Sequence, residues 1–343
     1  MYPFRNLVFE GGGVKGIAYV GAMQELGKRG ILDGIERVGG ASAGAIYAAI
    51  VGLNFSGDDI SKLLWGLNFN NFLDADWGII MDSARLLQDF GWYKGDYFRG
   101  WIAQRIFEKT GNTESTFADV DALKDKKGFK SMYFMGTNLS TRFSEIFSFE
   151  HSPRMCIADA VRISMSFPLF FAAKRDLRGD VYVDGGVLAN YPIKLFDRDK
   201  YVDDPTHKAT PDYYARINQT LAGIERPISN YVYNMETLGF RLSGKDEISL
   251  FRDHSAAPSY PVKDIFDYTW ALIDTFVEAQ NNDHLHSDDW QRTIYIDTKG
   301  VGTLDFNLSD AAKNVLLASG QQGAQNYFTW YDDPQKSPAN RPQ

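Results

Sequence analysis

One pattern, repeated within the first 55 residues, constrains the fold most strongly: a short apolar strand, a glycine-rich turn and a helix. The first copy has a strand at residues 6–10, three glycines at 11–13 and helical spacing of apolar residues from 14 to 29. The second copy has a strand at 35–38, another glycine-rich turn and a small apolar helix at 45–53. Strands that alternate with helices build parallel sheets covered by helices. The sequence therefore predicts an α/β protein with parallel strands.

The rest of the chain continues this alternation. Residues 56–110 are mainly helical with a break at 91–95, and 197–214 is polar and loop-like. Apolar runs predict further strands and helices. The strands lie at 132–136, 143–147, 181–183 and 293–296, and the helices at 157–163 and around Phe266, Trp270, Ile273 and Val277.

No internal repeat or change in composition marks a domain boundary, so we expect residues 1–330 to form a single domain. Within it we distinguish a motif-bearing core at 5–198, a variable helical and loop region at 199–290, and a closing strand and helices at 291–330. The last thirteen residues, 331–343, are polar and contain three prolines. We expect them to form a flexible tail.

Composition excludes several classes of function. The chain carries 44 acidic and 36 basic residues, a net charge of −8, so binding of nucleic acid through overall charge is not expected. Cys156 is the only cysteine, which rules out an intramolecular disulfide and fits a reducing compartment. No signal-peptide pattern is present, and no apolar run reaches the roughly 18 residues of a membrane span. We therefore expect a cytoplasmic protein.

The second glycine-rich turn contains a candidate nucleophile. Gly40-Ala41-Ser42-Ala43-Gly44 matches the pattern G-x-S-x-G. In this motif the serine occupies a tight turn between a strand and a helix, and the flanking residues are small because the backbone is strained and crowded. The helix that follows adds the positive end of its dipole. Since such a pattern also arises by chance in a glycine-rich chain, the prediction depends on the position of Ser42 between a strand and a helix.

The first glycine-rich turn has two interpretations. Residues 11–16 fit G-x-G-x-x-G, the dinucleotide-binding fingerprint, and Glu36 lies at the right distance to bind a ribose hydroxyl. However, Glu36 falls near the start of the second strand, whose end carries Ser42. The alternative is an oxyanion hole, in which unhindered backbone N–H groups at a helix start bind a tetrahedral intermediate. We favour the oxyanion hole, with Gly11, Gly12 and Gly13 as donors.

A nucleophilic serine needs a base, and the sequence offers two kinds. Five histidines are present, none in a setting typical of a catalytic triad, although chain order leaves the last four possible. Asp184 follows an apolar strand and precedes Gly185 and Gly186, which would place it at the sheet rim where open α/β folds bind ligands. An aspartate in this position often only caps a turn.

Two clusters could suggest a metal site. His284 and His286 alternate beside aspartates, and Asp74 and Asp76 resemble part of a calcium loop. Both clusters lack the further ligands that zinc or calcium sites require. We therefore predict no metal site and no cofactor.

Several motifs together, in this order along the chain, resemble those of the patatin-like phospholipases. They span residues 11–16, 40–44, 91–96, 164–170 and 184–186. The resemblance covers roughly residues 5–198 and includes the supporting residues Lys15, Gly16, Gly40, Gly44, Gly185 and Gly186. Lys15 stands where many members of the family carry arginine, a change that keeps the charge.

The resemblance implies a fold, an activity and a site. The fold has three α/β/α layers with a mostly parallel central sheet. The activity is hydrolysis of lipid carboxylic esters, of the phospholipase A or lysophospholipase type, through a Ser42–Asp184 dyad and an oxyanion hole at Gly11–Gly13, without metal or cofactor. A free aspartate has a pKa of about 3.9, too low for a good base at neutral pH, and burial at the strand end should raise the pKa of Asp184.

The partners implied by the resemblance are a phospholipid or another acyl-ester lipid and, transiently, a membrane surface. The sequence is silent on oligomeric state. Two alternatives stay open: a non-catalytic lipid-binding module of the same fold, and a nucleotide-binding oxidoreductase.

Overall fold

A computed structural model describes residues 2–72, 88–222, 229–243, 288–303 and 305–342, together with 262, 268, 271, 272, 275 and 276. Several predictions fall outside these residues. They are the helix around Phe266, Trp270, Ile273 and Val277, and the candidate metal ligands Asp74, Asp76, His284 and His286.

The first elements follow the predicted alternation. They are β1 (Asn6–Phe9), a 3-10 turn (Gly13–Ile17), α1 (Ala18–Lys28), β2 (Arg37–Gly40), α2 (Ala43–Gly52) and α3 (Gly57–Trp65). The α-helix begins later than predicted because residues up to Ile17 form the 3-10 turn. The strand β2 is also later than predicted, since its pairing with β1 starts at Arg37.

The middle of the chain contains the strands predicted at 132–136, 143–147 and 181–183, together with three short strands that were not predicted. Its elements are β3 (Gly91–Tyr93), α4 (Asp96–Thr110), α5 (Phe117–Ala122), α6 (Lys124–Lys127), β4 (Ser131–Asn138), β5 (Phe143–Phe147), α7 (Ile157–Ser164), β6 (Leu169–Phe171), β7 (Lys174–Arg175), β8 (Val181–Asp184) and α8 (Gly186–Ala189).

The last part of the chain differs more from the prediction. It contains 3-10 turns (Ile193–Phe196 and Asp199–Tyr201), β9 (Lys208–Ala209), α9 (Asp212–Leu221), β10 (Tyr233–Asn234), β11 (Thr237–Ser243), β12 (Thr293–Asp297) and α10 (Asp310–Tyr331). The polar stretch 197–214 thus includes β9 and the start of α9. The strand β11 was not predicted because Gly239 and Arg241 interrupt its apolar run.

The central sheet confirms the predicted α/β class. Its strand order is β12-β11-β1-β2-β4-β8-β7, with β5 also paired to β4. The five strands from β12 to β4 are parallel, whereas β5, β7 and β8 pair antiparallel. The sheet is therefore mostly parallel, and its carboxyl edge is where β1 and β2 lead into their glycine-rich turns.

Two strands share one edge of β4. Phe134 pairs with Gly40 of β2 on one edge and with β5 on the other. Gly136 pairs with Asp184 of β8 and again with β5. Since β5 occupies the same edge at both positions, β2 and β8 lie end to end along the opposite edge. Their carboxyl ends therefore meet beside Met135.

Both faces of the sheet are covered. In β1, Leu7 and Phe9 belong to the main apolar cluster, whereas Val8 belongs to a smaller cluster on the other face. The smaller cluster includes residues of the two 3-10 turns between 193 and 201. No helix among the described residues combines the length and the apolar character needed to cross a bilayer.

The chain after α10, predicted as a flexible tail, forms hydrogen bonds with other parts of the protein. Asn340 is fully buried, and its backbone oxygen accepts a hydrogen bond from the Tyr331 hydroxyl at 3.2 Å. The Ala339 N–H donates to the Gln291 side chain at 2.7 Å. In this structure α10 and the segment before β12 supply hydrogen-bond partners for these polar residues, and the flexibility of the tail stays a prediction.

Candidate active site

Ser42 lies in the tight turn between β2 and α2. Its φ of 53° and ψ of −127° are strained for a residue with a side chain. The flanking glycines are needed because other backbone passes very close: a Cβ at Gly44 would lie 2.2 Å from the Phe9 carbonyl oxygen, and one at Gly40 2.5 Å from Gly44. The structure thus gives this segment the geometry predicted for G-x-S-x-G.

The hydrogen bonds of Ser42 go to the end of α7, at Ser164 and Met165. Its backbone N–H donates to Ser164 Oγ at 3.0 Å. Its hydroxyl lies 3.7 Å from Met165 Sδ, a weak acceptor. Both of these neighbours belong to the motif at 164–170.

Asp184, at the end of β8, is 2% exposed. Its Oδ1 accepts the Gly186 N–H at 2.6 Å, and its backbone N–H donates to the Ser166 carbonyl oxygen at 2.9 Å. Its Oδ2 is buried and has no hydrogen-bond partner within the part of the chain that the structure describes. A buried polar atom without a partner is costly and suggests a functional role.

Burial raises the pKa of Asp184 from its ordinary value of 3.8 to about 7. The Gly186 N–H and the Ser42 hydroxyl both act in the opposite direction, which shows that Ser42 is a close neighbour of this carboxyl. No charged side chain of the described residues contributes to the shift. Burial is therefore the dominant cause, and near neutral pH the carboxyl is poised between its two protonation states.

In the glycine loop after β1, two N–H donors lack an acceptor among the residues that the structure describes. The Gly11 N–H donates to the Asn190 carbonyl oxygen at 3.0 Å, so it is already used. For the N–H groups of Gly12 and Gly13, no acceptor is found among the described residues. A Cβ at Gly13 would lie 2.1 Å from the Thr303 carbonyl oxygen, so only glycine fits there. The structure thus reduces the three donors predicted for an oxyanion hole to two.

Asn190, just after α8, is a site residue that the sequence analysis missed. Its side-chain amide donates to the Gly11 carbonyl oxygen at 3.3 Å and to Glu10 Oε1 at 3.4 Å. Together with its carbonyl oxygen, it ties the segment after Asp184 to the glycine loop. The only feature of the sequence that could have indicated Asn190 as a site residue is its position six residues after Asp184, just beyond the short helix α8.

The remaining motif residues pack around this centre. A Cβ at Gly185 would lie 2.3 Å from the Met135 carbonyl oxygen, and Gly186 provides the N–H bound to Asp184. Gly16 faces Ala43 at the start of α2. Lys15 is half-buried in the 3-10 turn that follows the glycine loop.

Glu36 does not support the dinucleotide alternative. It is exposed and lies just before β2, at the amino edge of the sheet, whereas the glycine loop follows β1 at the carboxyl edge.

The two histidines that the structure describes form hydrogen bonds with residues other than Ser42 and Asp184. His151 pairs with Ser148 at 2.8 Å, and His207 with Glu236 at 3.0 Å. His254, His284 and His286 lie outside the described residues. Within the described part of the chain, Asp184 is therefore the base candidate beside Ser42.

One group of side chains has donor atoms close enough for a metal ion. Glu114, Cys156 and Asp159 each offer one atom, all within 4.8 Å of one another. However, the Arg99 guanidinium already donates to Glu114 and Asp159 at 2.6 Å each. Glu114 and Asp159 therefore belong to an ion-pair cluster in which the Arg99 guanidinium is the cation.

The comparisons with known proteins establish the family. A family model described as patatin-like phospholipase matches residues 7–197, more than half of the chain. Protein R571 of Acanthamoeba polyphaga mimivirus is 31% identical over 249 residues, covering 71% of this chain and 78% of R571. The chain belongs to the patatin-like phospholipase family, and this membership supports lipid acyl hydrolase activity.

Two further similarities agree with this membership. The probable lipid hydrolase 463L of Invertebrate iridescent virus 6 is 23% identical over 192 residues, which is 56% of this chain and 63% of that protein. The crystal structure of VipD from Legionella pneumophila matches with a TM-score of 0.56 and 18% identity, over 95% of this chain and 67% of VipD. The similarity to VipD shows that the two proteins share a fold.

Proposed function

We propose that this protein is a serine acyl hydrolase that cleaves lipid esters of the phospholipase A or lysophospholipase type. Ser42 is the nucleophile, Asp184 the base, and the N–H groups of Gly12 and Gly13 the oxyanion donors. The observation that carries the proposal is the buried Oδ2 of Asp184, which has no hydrogen-bond partner among the described residues, beside a serine held on a strained turn.

The acylation step follows from this arrangement. The ionised Asp184 accepts the Ser42 proton as Oγ attacks the ester carbonyl carbon, and the carbonyl oxygen becomes an oxyanion. Protonated Asp184 then gives the proton to the departing alcohol, which leaves an acyl-serine. Water attacks the acyl group in the same way, with Asp184 again accepting and returning a proton. A pKa of about 7 suits both roles at neutral pH.

A product analysis combined with active-site labelling tests the proposal. We expect the protein to release fatty acid from mixed phospholipids, as identified by mass, and a fluorophosphonate to label it once, at Ser42. Ser42→Ala should remove both activities while the fold is kept. Bound nicotinamide or flavin absorbance, or labelling at another residue, would contradict the assignment. Intact lipid binding without hydrolysis would identify a non-catalytic module.

We further propose that the carboxyl edge of the sheet contacts the membrane surface. Because β8 runs antiparallel to β4, two turns project beyond this edge: residues 139–142 after β4 and 176–180 before β8. The Leu139 N–H donates to the Val181 carbonyl oxygen at 2.8 Å, so the turns lie side by side. They are on the same edge of the sheet as Ser42 and Asp184.

The exposed side chains of these turns and of Phe143, the first residue of β5, suit a bilayer surface. Leu177 is fully exposed, and Phe143 and Leu139 are 71% and 48% exposed. The exposed Arg142 and Arg178 flank them. Apolar side chains enter the boundary between headgroups and acyl chains, and arginines face the phosphates.

Two variants at opposite ends of β5 test this contact. Phe143→Asp should weaken co-sedimentation with phosphatidylcholine–phosphatidylglycerol vesicles several-fold and slow hydrolysis of vesicle lipid, while hydrolysis of a short soluble ester is unchanged. Phe149, 45% exposed beyond the other end of β5, provides the matched control as Phe149→Asp. Equal loss of vesicle binding in both variants would contradict the assignment.

A further inference from the structure

Three consecutive residues at the end of α7, of which Ser164 is the last residue of the helix, contact both members of the proposed dyad. Ser164 Oγ accepts the Ser42 N–H at 3.0 Å, and the Ser166 carbonyl oxygen accepts the Asp184 N–H at 2.9 Å. The thioether of Met165, between them, lies 3.7 Å from Ser42 Oγ. The segment 164–166 therefore connects the turn after β2 to the end of β8, two elements that are distant in the chain.

This segment is itself rigidly held. Ser164 and Ser166 are fully buried. The Ser166 hydroxyl accepts a hydrogen bond from the Arg162 guanidinium at 2.6 Å and donates to the Arg162 carbonyl oxygen at 3.0 Å. Because these contacts fix Ser166, the position of Ser164 relative to the end of β8 is fixed as well.

The contact made by Ser164 matters because of the conformation of Ser42. A residue with a side chain at positive φ keeps that conformation only where its surroundings impose it. Ser42 precedes the first residue of α2, so its N–H has no partner within the helix. The Ser164 hydroxyl is the acceptor that satisfies it.

We propose that Ser164 is a positioning residue for the nucleophile: its side-chain hydroxyl holds the Ser42 backbone in the strained conformation that presents Oγ for reaction. This inference rests on the proposed function. It assigns to the motif at 164–170 a role in setting the distance between nucleophile and base, whereas Ser164 itself does not touch the reacting atoms.

The test is the reactivity of Ser42 in Ser164→Ala. Removing the acceptor leaves the half-buried Ser42 N–H without its side-chain acceptor, so we expect the labelling rate by a fluorophosphonate and kcat to fall about 10- to 100-fold. KM and the pH midpoint of the reaction should stay unchanged, since neither the lipid-binding surface nor Asp184 is altered. Ser164→Cys keeps the size of the side chain with a weaker acceptor and should be intermediate.

A matched control separates positioning from stability. Ser148 is another buried serine, 1% exposed, whose hydroxyl pairs with His151 away from the site. Ser148→Ala should lower the melting temperature as Ser164→Ala does but keep the labelling rate. Ser164→Ala labelled as fast as wild type, or a rate loss shared equally by Ser148→Ala, would overturn the role of Ser164. Wild-type protein that takes up no probe would overturn the proposed function, and this role with it.

Discussion

Two aspartates are buried at opposite edges of the same sheet, and their surroundings differ. Asp184, at the carboxyl edge, has one backbone N–H donor on Oδ1 and, within the described part of the chain, no hydrogen-bond partner on Oδ2. Asp197, fully buried near the amino edge, forms a two-point ion pair with the Arg292 guanidinium at 2.6 and 2.7 Å. Its oxygens also accept hydrogen bonds from the Tyr214 hydroxyl and the Asn234 N–H.

The comparison shows that burial alone does not determine the role of an aspartate. At Asp197 the cation and the donors compensate the charge, and the pair ties the end of the family-matched region to the segment before β12. At Asp184 the charge is left uncompensated, so the carboxyl stays reactive towards a proton. One aspartate serves stability, and the other is available for chemistry.

The largest expected effect is the loss of activity in Asp184→Asn. The amide keeps the shape of the side chain but cannot accept the Ser42 proton, so we expect turnover to fall by about 10⁴-fold. Ester hydrolysis by the purified variant measures this. Activity within tenfold of wild type would place the base elsewhere.

Asp197→Asn should instead destabilise the fold. It leaves the buried Arg292 cation with Asp289 as its remaining carboxylate partner, a change that typically costs about 3–5 kcal/mol. Chemical denaturation measures the free energy of unfolding, and the specific activity of the folded fraction should be that of wild type. Unchanged stability would show that the two aspartates are not as different as the contacts indicate.

The pH dependence of the free energy of unfolding should single out Asp184, because replacing it is expected to favour the folded state increasingly as the pH rises. Its pKa is higher in the folded state than in the unfolded chain, so its contribution is most favourable below pH 4 and is lost as the pH rises to about 7. A rise from 3.8 to about 7 corresponds to roughly 4 kcal/mol. We expect the difference in unfolding free energy between Asp184→Asn and wild type to shift by up to this amount in favour of the variant between pH 4 and pH 8. A constant difference would contradict the raised pKa.

Two glycines at positive φ, one in the proposed site and one outside it, allow the effect of an added side chain on activity to be compared with its effect on stability. Gly13→Ala forces a Cβ against the Thr303 carbonyl and displaces the oxyanion donors, so we expect turnover to fall about 10²–10³-fold. Gly30, also at positive φ but with open space around its Cα, is the control. Gly30→Ala should lower stability by about 1 kcal/mol and keep activity. Equal losses of activity would remove the glycine loop from the mechanism.

The sequence predicted the parts of this site that local patterns encode. Ser42, Asp184 and the glycine loop each follow a strand in a recognisable motif. The sequence did not reveal that Asn190 uses the Gly11 N–H, or that Ser164 accepts the Ser42 N–H. These contacts depend on β2 and β8 meeting along one edge of β4, an arrangement set by strand order.

The fold shows the same limit. Apolar runs predicted six of the eight strands of the central sheet, but β11 was missed because Gly239 and Arg241 interrupt its pattern. Both residues are accommodated by tertiary contacts: the Tyr191 hydroxyl packs against Gly239, and Glu10 lies 3.8 Å from the Arg241 guanidinium. A single sequence does not display such compensation.

The pH dependence of fluorophosphonate labelling of Ser42, measured at two temperatures, tests the central claim most directly. If Asp184 is the base, the labelling rate rises with pH around a midpoint of about 7, because the reactive form is the ionised carboxylate. That midpoint should hardly move with temperature, since ionisation of a carboxyl involves little enthalpy. A midpoint that falls clearly on warming would identify an imidazole as the base, and one near 4 would show that burial does not raise the pKa of Asp184. Either result would contradict the account.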